Sequence, residues 1–559
     1  MNIKTYFLII TTLSALVSGC DNADQVSGNE GSGQQENTDQ AVSGVEDKIP
    51  ALAYIEHNER YNAEAVIPPQ CYTKTDGKKN PCYVCHQAST DSEHPNMMKD
   101  IYLQGVYDFS EVGVENHWKN LFVDRRELIK EISDDEISKW VNQDNYSNLI
   151  ARLENDSDWK GEIPKIENLA YPDKAFDSEG FARDGSQWVA FKYKPMPGMF
   201  WPTNGSTDDV MIRMPEAFRT LNGQYSKEVY KANLAILEMA IKGADTLTPV
   251  DLNEIAVGSD LNGDGQISDS ISAIVNQTKY VGDASETEVQ YMLYPKGVQF
   301  LHTVRYVGVD GQGNVYNSPR IKEVRYMVKK SQTSIKKLQN DYFNEAKEKH
   351  LGSLPKTIHL GDRGISNGFG WILNAYIEDQ DGELRQQHEQ ELEFCNGCHK
   401  TIGSTIDQTF AFARKMNGEP GWGYINLKEI RDVPSRNESQ GEYLTYFERV
   451  GGGDEFRRNA EMLNKWFKED GTVDRDKVTA ATSIYDLVAP TPERASVLNK
   501  AYKTIVSEQS YIYGRDPVVS PAVNVLEHIP DDIEPLEADF RYMWDIRLNW
   551  DNSLLSSNP

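Results

Sequence analysis

Val298-Gln299-Phe300-Leu301-His302-Thr303-Val304-Arg305-Tyr306-Val307, the turn Asp310-Gly311-Gln312-Gly313, and Glu323-Val324-Arg325-Tyr326-Met327-Val328 decide the reading of the fold. The segments on either side of the turn are rich in β-branched and aromatic residues, which suit a pleated surface, and both read as strands. Trp188-Val189-Ala190-Phe191-Lys192-Tyr193 has the same character. On the first strand His302 shares a face with Phe300 and Val304, so its imidazole is expected to point at apolar material.

Outward from this centre the patterns turn helical. Ser133-Asp134-Asp135-Glu136 is a capping box leading into Ile137, Trp140 and Val141. Ser226 to Ile241 is a helical run stopped by Gly243. Phe456, Ala460, Leu463 and Phe467 fall on one helical face before Gly471. Thr491-Pro492 opens a helix carrying Ala495, Leu498, Tyr502 and Ile505.

The 559 residues allow two or three globular domains, and 10 Trp, 28 Tyr and 18 Phe supply enough core to exclude disorder over most of the chain. The net charge of -28 argues against nucleic acid and against anionic membrane surfaces, because no basic stripe is available to meet phosphates.

The first 20 residues read as an export signal. Lys4 supplies the positive start and Tyr6-Phe7-Leu8-Ile9-Ile10 through Leu16 a short apolar stretch, too short for a stable span. Val17-Ser18-Gly19-Cys20 resembles a bacterial lipobox, which implies that Cys20 is lipidated and becomes the first mature residue; the alternative is an ordinary signal with a chance cysteine. Asp21 is similar to the inner-membrane retention residue of enterobacterial lipoproteins. Residues 21–48 are polar and Gly/Ser-rich and read as a disordered tether.

Two pentapeptides carry chemistry. Cys82-Tyr83-Val84-Cys85-His86 and Cys395-Asn396-Gly397-Cys398-His399 both read C-x-x-C-H, the attachment pattern of c-type haem. Two thiols about one turn apart can add to the two vinyl groups of a haem, and the adjacent imidazole can reach the iron as proximal ligand. A Cys₄ zinc site gives no reason for a histidine after each pair, and two-residue spacing makes poor disulfide staples. On these motifs the chain resembles a dihaem c-type cytochrome. The resemblance covers only the pentapeptides and their flanks. Bacterial dihaem peroxidases are the nearest enzyme comparison, but His86 and His399 lie 313 positions apart (399 − 86), wider than that family's spacing.

Of six cysteines, Cys71 is left over, as a small buried residue or as a thiol or thiolate ligand beside the first haem. A second iron ligand would make an electron-transfer haem, whereas an open face would bind small molecules. His302 and His117 are the favoured distal candidates, ahead of His359, His388, Met196 and Met416; His57, His94, His350 and His528 lie in polar, charged or loop sequence. Separately, Asp260, Asn262, Asp264, Gln266 and Asp269 resemble the first part of an EF-hand or dockerin calcium loop, except that Ile271 stands where the twelfth-position acid belongs.

The expected fold class is α+β, with mainly helical haem-bearing regions flanking a β-rich centre. The expected divisions are the signal 1–20, the tether 21–48, the first haem-binding region 49–165 and the β-rich centre with the calcium loop 166–335. A second haem-binding region 336–440 and a helical region 441–559 complete the chain. The expected function is a membrane-tethered periplasmic or cell-surface dihaem protein transferring electrons with a redox protein or small-molecule partner. The alternative is a peroxidase-like dihaem oxidoreductase with one open haem.

Overall fold

The two runs flanking Asp310-Gly311 pair antiparallel and form the spine of the molecule, a computed structural model. It describes residues 50–550 apart from 58, 91, 199–204, 245, 248–250, 401 and 454–458. Cys20, the signal and the tether lie outside the described residues.

Nine strands make one antiparallel sheet. They are β1 Val189–Ala190, β2 Ser206–Asp208, β3 Met211–Arg213, β4 Gln299–Val309, β5 Val315–Lys329, β6 Ile358–His359, β7 Ile365–Ser366, β8 Trp371–Glu378 and β9 Leu384–Gln386. Their order is β1-β3-β4-β5-β8-β7-β6, with β2 also pairing β4 and β9 pairing β8. The register sets His302 opposite Arg325, and Val304 opposite both Glu323 and Asp208. Directly opposed residues share a face, so Asp208, His302, Val304, Glu323 and Arg325 all stand on one side of the sheet.

Both faces of the central strands are covered. Phe300, Met327, Trp371 and Leu373 enter one apolar core, and Leu301, Tyr326, Val328 and Tyr376 enter another. Burial on both sides explains why these strands read as nearly continuous apolar runs.

The longer helices are α1 Asp134–Val141, α2 Tyr146–Asn155, α3 Lys227–Lys242, α4 Ile335–His350, α5 Glu442–Val450 and α6 Pro492–Glu508. Their ends follow the sequence signals. Ser133 accepts from the Glu136 amide and Ser226 from the Val229 amide, while Gly243 closes α3 at φ +61°. Thr491 caps α6, whose Tyr502 ring meets Tyr306 of β4 edge-on. Beneath α5, Glu442 receives Arg414 Nη2 at 2.6 Å together with the ammonium of Lys194, all three side chains being buried.

The expected mainly helical flanks are corrected. Between 57 and 125 the chain runs in loops and short 3₁₀ turns, including Pro69–Tyr72, Cys82–Val84, Ile101–Gly105 and Lys119–Phe122. This stretch is too broken by Pro, Gly and Asn to propagate helix, and side-chain anchors hold it instead. The region 336–440 contributes β6 to β9 as well as α4. Ile49–Pro559 form one compact unit, so these regions are sectors of a single body. Among the described residues no helix is long and apolar enough to cross a membrane.

Candidate functional site

The two pentapeptides take the same local turn. Cys85 N and His86 N donate to the Cys82 carbonyl at 3.1 and 2.9 Å, and Cys398 N and His399 N donate to the Cys395 carbonyl at 3.3 and 3.0 Å. Each turn carries its two thiols and its imidazole together, the arrangement a doubly tethered ring requires. The four thiols are unbridged. Burial pushes Cys82 up to about 12 and Cys398 up to about 11, so both thiols are neutral in the folded chain.

The fold joins these distant segments. Cys82, Cys85 and His86 line one cavity of about 470 Å³ together with Gly397 and Cys398. Asp100 is the clasp. Its Oδ2 accepts from His86 Nδ1 at 2.9 Å and from the Gly403 amide at 3.1 Å, while Oδ1 accepts from the Gln87 amide at 2.8 Å. Ser404 N donates to the Cys85 carbonyl at 3.0 Å. A Cβ at position 403 would collide with the Asp100 carboxylate, the Met98 carbonyl and the Gln87 amide, so only glycine permits this docking.

The two motif histidines sit in different fields. Desolvation opposes charge on His86, but the Asp100 carboxylate overrides it and lifts the imidazole to about 9. His399 donates from Nδ1 to the Gln408 carbonyl at 2.7 Å, and desolvation lowers it to about 4. In both cases Nδ1 is engaged and Nε2 is the nitrogen left to meet a metal.

His302 repeats that pattern. Its Nδ1 donates to the Asp209 carbonyl at 2.7 Å, and its Nε2 lies 3.7 Å from Asp208 Oδ2. Desolvation, then the charges of Arg325 and His399, bring it down to about 4, so it lies within electrostatic reach of the second motif. His117 bonds the Glu115 carbonyl through Nδ1 and packs on Tyr61, while its neighbour Trp118 lines the cavity.

The other candidates are engaged elsewhere. His359 pairs with Glu393 at 3.0 Å, His388 caps the helix Glu389–Glu393, and His528 pairs with Glu115 at 3.3 Å. Met196 is a buried core residue, Met416 is half-buried, His57 is exposed, and His350 ends α4 at the cavity rim.

Sequence reasoning missed two residues of this region, Asp100 and Asp208, and placed a third, His94, in polar loop sequence although it is buried. Asp100 carries no signal of its own beyond being an acid after a C-x-x-C-H segment. Asp208 is buried on the cavity wall, its Oδ1 has no hydrogen-bond partner, and burial raises it well above the carboxylate range. His94 is 1% exposed with neither ring nitrogen in hydrogen-bonding geometry.

The loop 260–269 is closed by its own amides. Asp260 accepts from Gly263 and Gly265, Asp264 accepts from Gln266, and Glu254 accepts from Leu261, Asn262 and Ser268. Among the described residues no group of three or more His, Cys, Asp or Glu side chains is placed to hold a metal ion, which also leaves no Cys₄ zinc cluster.

Comparison with known proteins corrects the family reading. A family whose description ends in "-like lipoprotein" matches residues 55–489. An "Uncharacterized lipoprotein" of Aquifex aeolicus (strain VF5) is 34% identical over 91% of this chain and 95% of its own. No solved structure matches. These findings replace the assignment by resemblance to the dihaem c-type cytochromes, and they agree with an exported, lipid-anchored protein. The chain belongs to this lipoprotein family.

Proposed function

We propose that this lipoprotein holds two covalent haems, through Cys82, Cys85 and His86 and through Cys395, Cys398 and His399, and that it relays electrons to a redox partner at the membrane. One observation carries the reading: two C-x-x-C-H segments 313 positions apart (399 − 86) adopt the same turn beside one cavity, each imidazole anchored through Nδ1. The donor set fits, with two unbridged thiols on each turn for the thioethers and, Nδ1 being engaged, an Nε2 for each iron. The unpartnered Asp208 Oδ1 on the cavity wall also fits a site built around an occupant.

Bound there, haem supplies one-electron chemistry that no side chain of the chain provides. The chain's own residues do the rest. Asp100 draws the His86 proton toward itself and makes that ring the stronger donor, whereas the Gln408 carbonyl acts more weakly on His399. His302, whose Nδ1 donates to the Asp209 carbonyl, would be the second imidazole available to an iron held at the second motif. The apolar cores around the sheet exclude water, and the net charge of -28 favours a basic partner.

The test is intact mass of protein exported alongside haem-maturation machinery. Two haem additions are expected, with one lost in Cys82→Ala/Cys85→Ala and the other in Cys395→Ala/Cys398→Ala. Fewer than two on fully matured protein removes the reading. Two low-spin haems in the absorption spectrum support electron relay, and a high-spin, peroxide-reactive haem supports the oxidoreductase instead.

A further inference from the structure

We infer that the outer face of α4 and the loop after it, residues 336–358, dock on the anionic phospholipid surface of the membrane that holds the lipid anchor. This stands apart from the haem reading. Among the exposed large apolar side chains of the described residues, Leu351 and Phe343 are the two barest, at 68% and 67% exposure, with Leu354 and Ile358 also exposed. Leu338 and Tyr342 pack the opposite face of α4 against Met98, Leu293 and Phe369. That leaves Lys336, Asn340, Phe343 and Lys347, spaced four, three and four residues apart, as one solvent-facing stripe.

Charge selects the partner. Between 336 and 356 five lysines stand against three acids, in a chain whose net charge is -28. Asp341 is occupied by Lys337 at 2.5 Å and Glu345 by Lys400 at 3.1 Å, while Glu348 is exposed on the flank away from the stripe. Apolar tips set among lysines suit an anionic headgroup layer, with ammonium groups at the phosphates and the tips at the acyl boundary. The whole-chain charge does not decide this contact. At physiological ionic strength the Debye length is about 8 Å, so only the charges nearest the surface act across it. The acidic remainder disfavours every other pose.

The anchored end of the chain lies on the same side. Glu393 accepts from Arg60 at 2.5 Å and pairs with His359 Nε2 at 3.0 Å, which sets the early chain beside Ile358 and β6. Glu64 and Val66 line the same cavity as Leu354 and Pro355. Cys20 precedes Pro50 by 30 residues (50 − 20), a reach of no more than about 110 Å. Tethering supplies a high effective concentration at the membrane, so a weak contact suffices to orient the body. Without the anchor the same contact lets go on washing.

The test uses residues 21–559 exported behind an ordinary cleavable signal, which lack only the lipid-bearing cysteine. Vesicles of phosphatidylglycerol and phosphatidylcholine in equal parts are supplied in excess at physiological ionic strength. The protein is expected to float with these vesicles, to stay behind with phosphatidylcholine alone, and to be released at about 1 M salt. Lys336→Gln/Lys347→Gln should lower the partition coefficient about 25-fold, at about fivefold per lysine. Phe343→Ser/Leu351→Ser should lower it about tenfold or more. Leu128→Ser/Lys130→Gln, on the exposed turn Arg126–Lys130, should leave it unchanged. Hydrogen exchange on wild type should slow at 336–358 when vesicles are added, and this footprint decides the matter if a variant fails to fold. Absence of flotation with the mixed vesicles, flotation indifferent to both α4 variants, or protection confined to other segments overturns the inference. A wild-type dimer that Phe343→Ser/Leu351→Ser disperses, with no vesicle binding, also overturns it and gives the patch to a second copy of the chain.

Discussion

Replacing Asp100 by Asn keeps the shape of the clasp and removes its charge. Asp100 is fully buried and holds His86 Nδ1 at 2.9 Å. A hydrogen bond to an ionised acceptor contributes about 1.5–3 kcal/mol net. Oxidation makes a ligated imidazole a better proton donor, so the bond strengthens in the ferric state, and only that strengthening moves the potential. If the strengthening is about 1–2 kcal/mol, roughly half to two-thirds of the bond, the potential of the first haem should rise by about 45–90 mV, since 59 mV corresponds to a tenfold change for one electron. The amide must also face two backbone donors, Gln87 N and Gly403 N, with only one acceptor oxygen. A stability loss of about 1–3 kcal/mol should therefore accompany the shift. On the proposed reading, optically monitored redox titration would follow both haems, with the second, whose histidine bonds Gln408, as the internal control. An unchanged lower potential in a folded variant with both haems would refute the reasoning.

Two further outcomes are expected. Burial opposes charge on Glu442, but Arg414 and Lys194 override it and hold the carboxyl at about 2, below the unfolded value of about 4.3, so it contributes about 3 kcal/mol of stability above that pH. This contribution fades as pH falls toward 2; Glu442→Gln should flatten acid unfolding in that window and cost about 3–5 kcal/mol at neutral pH by stranding two cations, and an acid profile parallel to wild type in denaturant melts would contradict this. Cys20→Ala should move the protein from washed membranes to the soluble fraction with its spectrum intact, and a membrane-bound mutant would show that another surface anchors it.

Local chemistry was legible in the sequence where one residue's conformation decides the outcome. Ser133, Ser226 and Thr491 cap the helices they precede, and Gly243 adopts the left-handed geometry its position requires. The β4–β5 pairing followed from apolar runs and a turn. Trp371–Glu378 escaped notice because a strand buried on both faces lacks alternation and sits between stretches that read as helical or loop. Segments such as Pro69–Tyr72 have no periodicity at all. At the site, each C-x-x-C-H segment announces itself, but nothing local says that Gly403 docks on Asp100 or that Asp100 meets His86. Those contacts join residues 14 to 303 positions apart and exist only once the sheet has formed.

The wall around the first motif is supplied by the end of the chain. Thr73 bridges Val525, Tyr542 N and Trp544 N bond Gln104 and Gln87, and Trp544 reaches Ser435. A chain exported from its N-terminus therefore presents Cys82 and Cys85 long before the residues that will enclose them have crossed. On the proposed haem reading, the enzyme attaching the first cofactor would have the translocation time of more than four hundred residues in which to work, whereas the second motif is followed by far less chain. Order of synthesis thus becomes order of maturation. Pulse-labelled export intermediates should carry the first haem while the second pair of thiols is still alkylatable, and a protein rich in second-site haem alone should not accumulate.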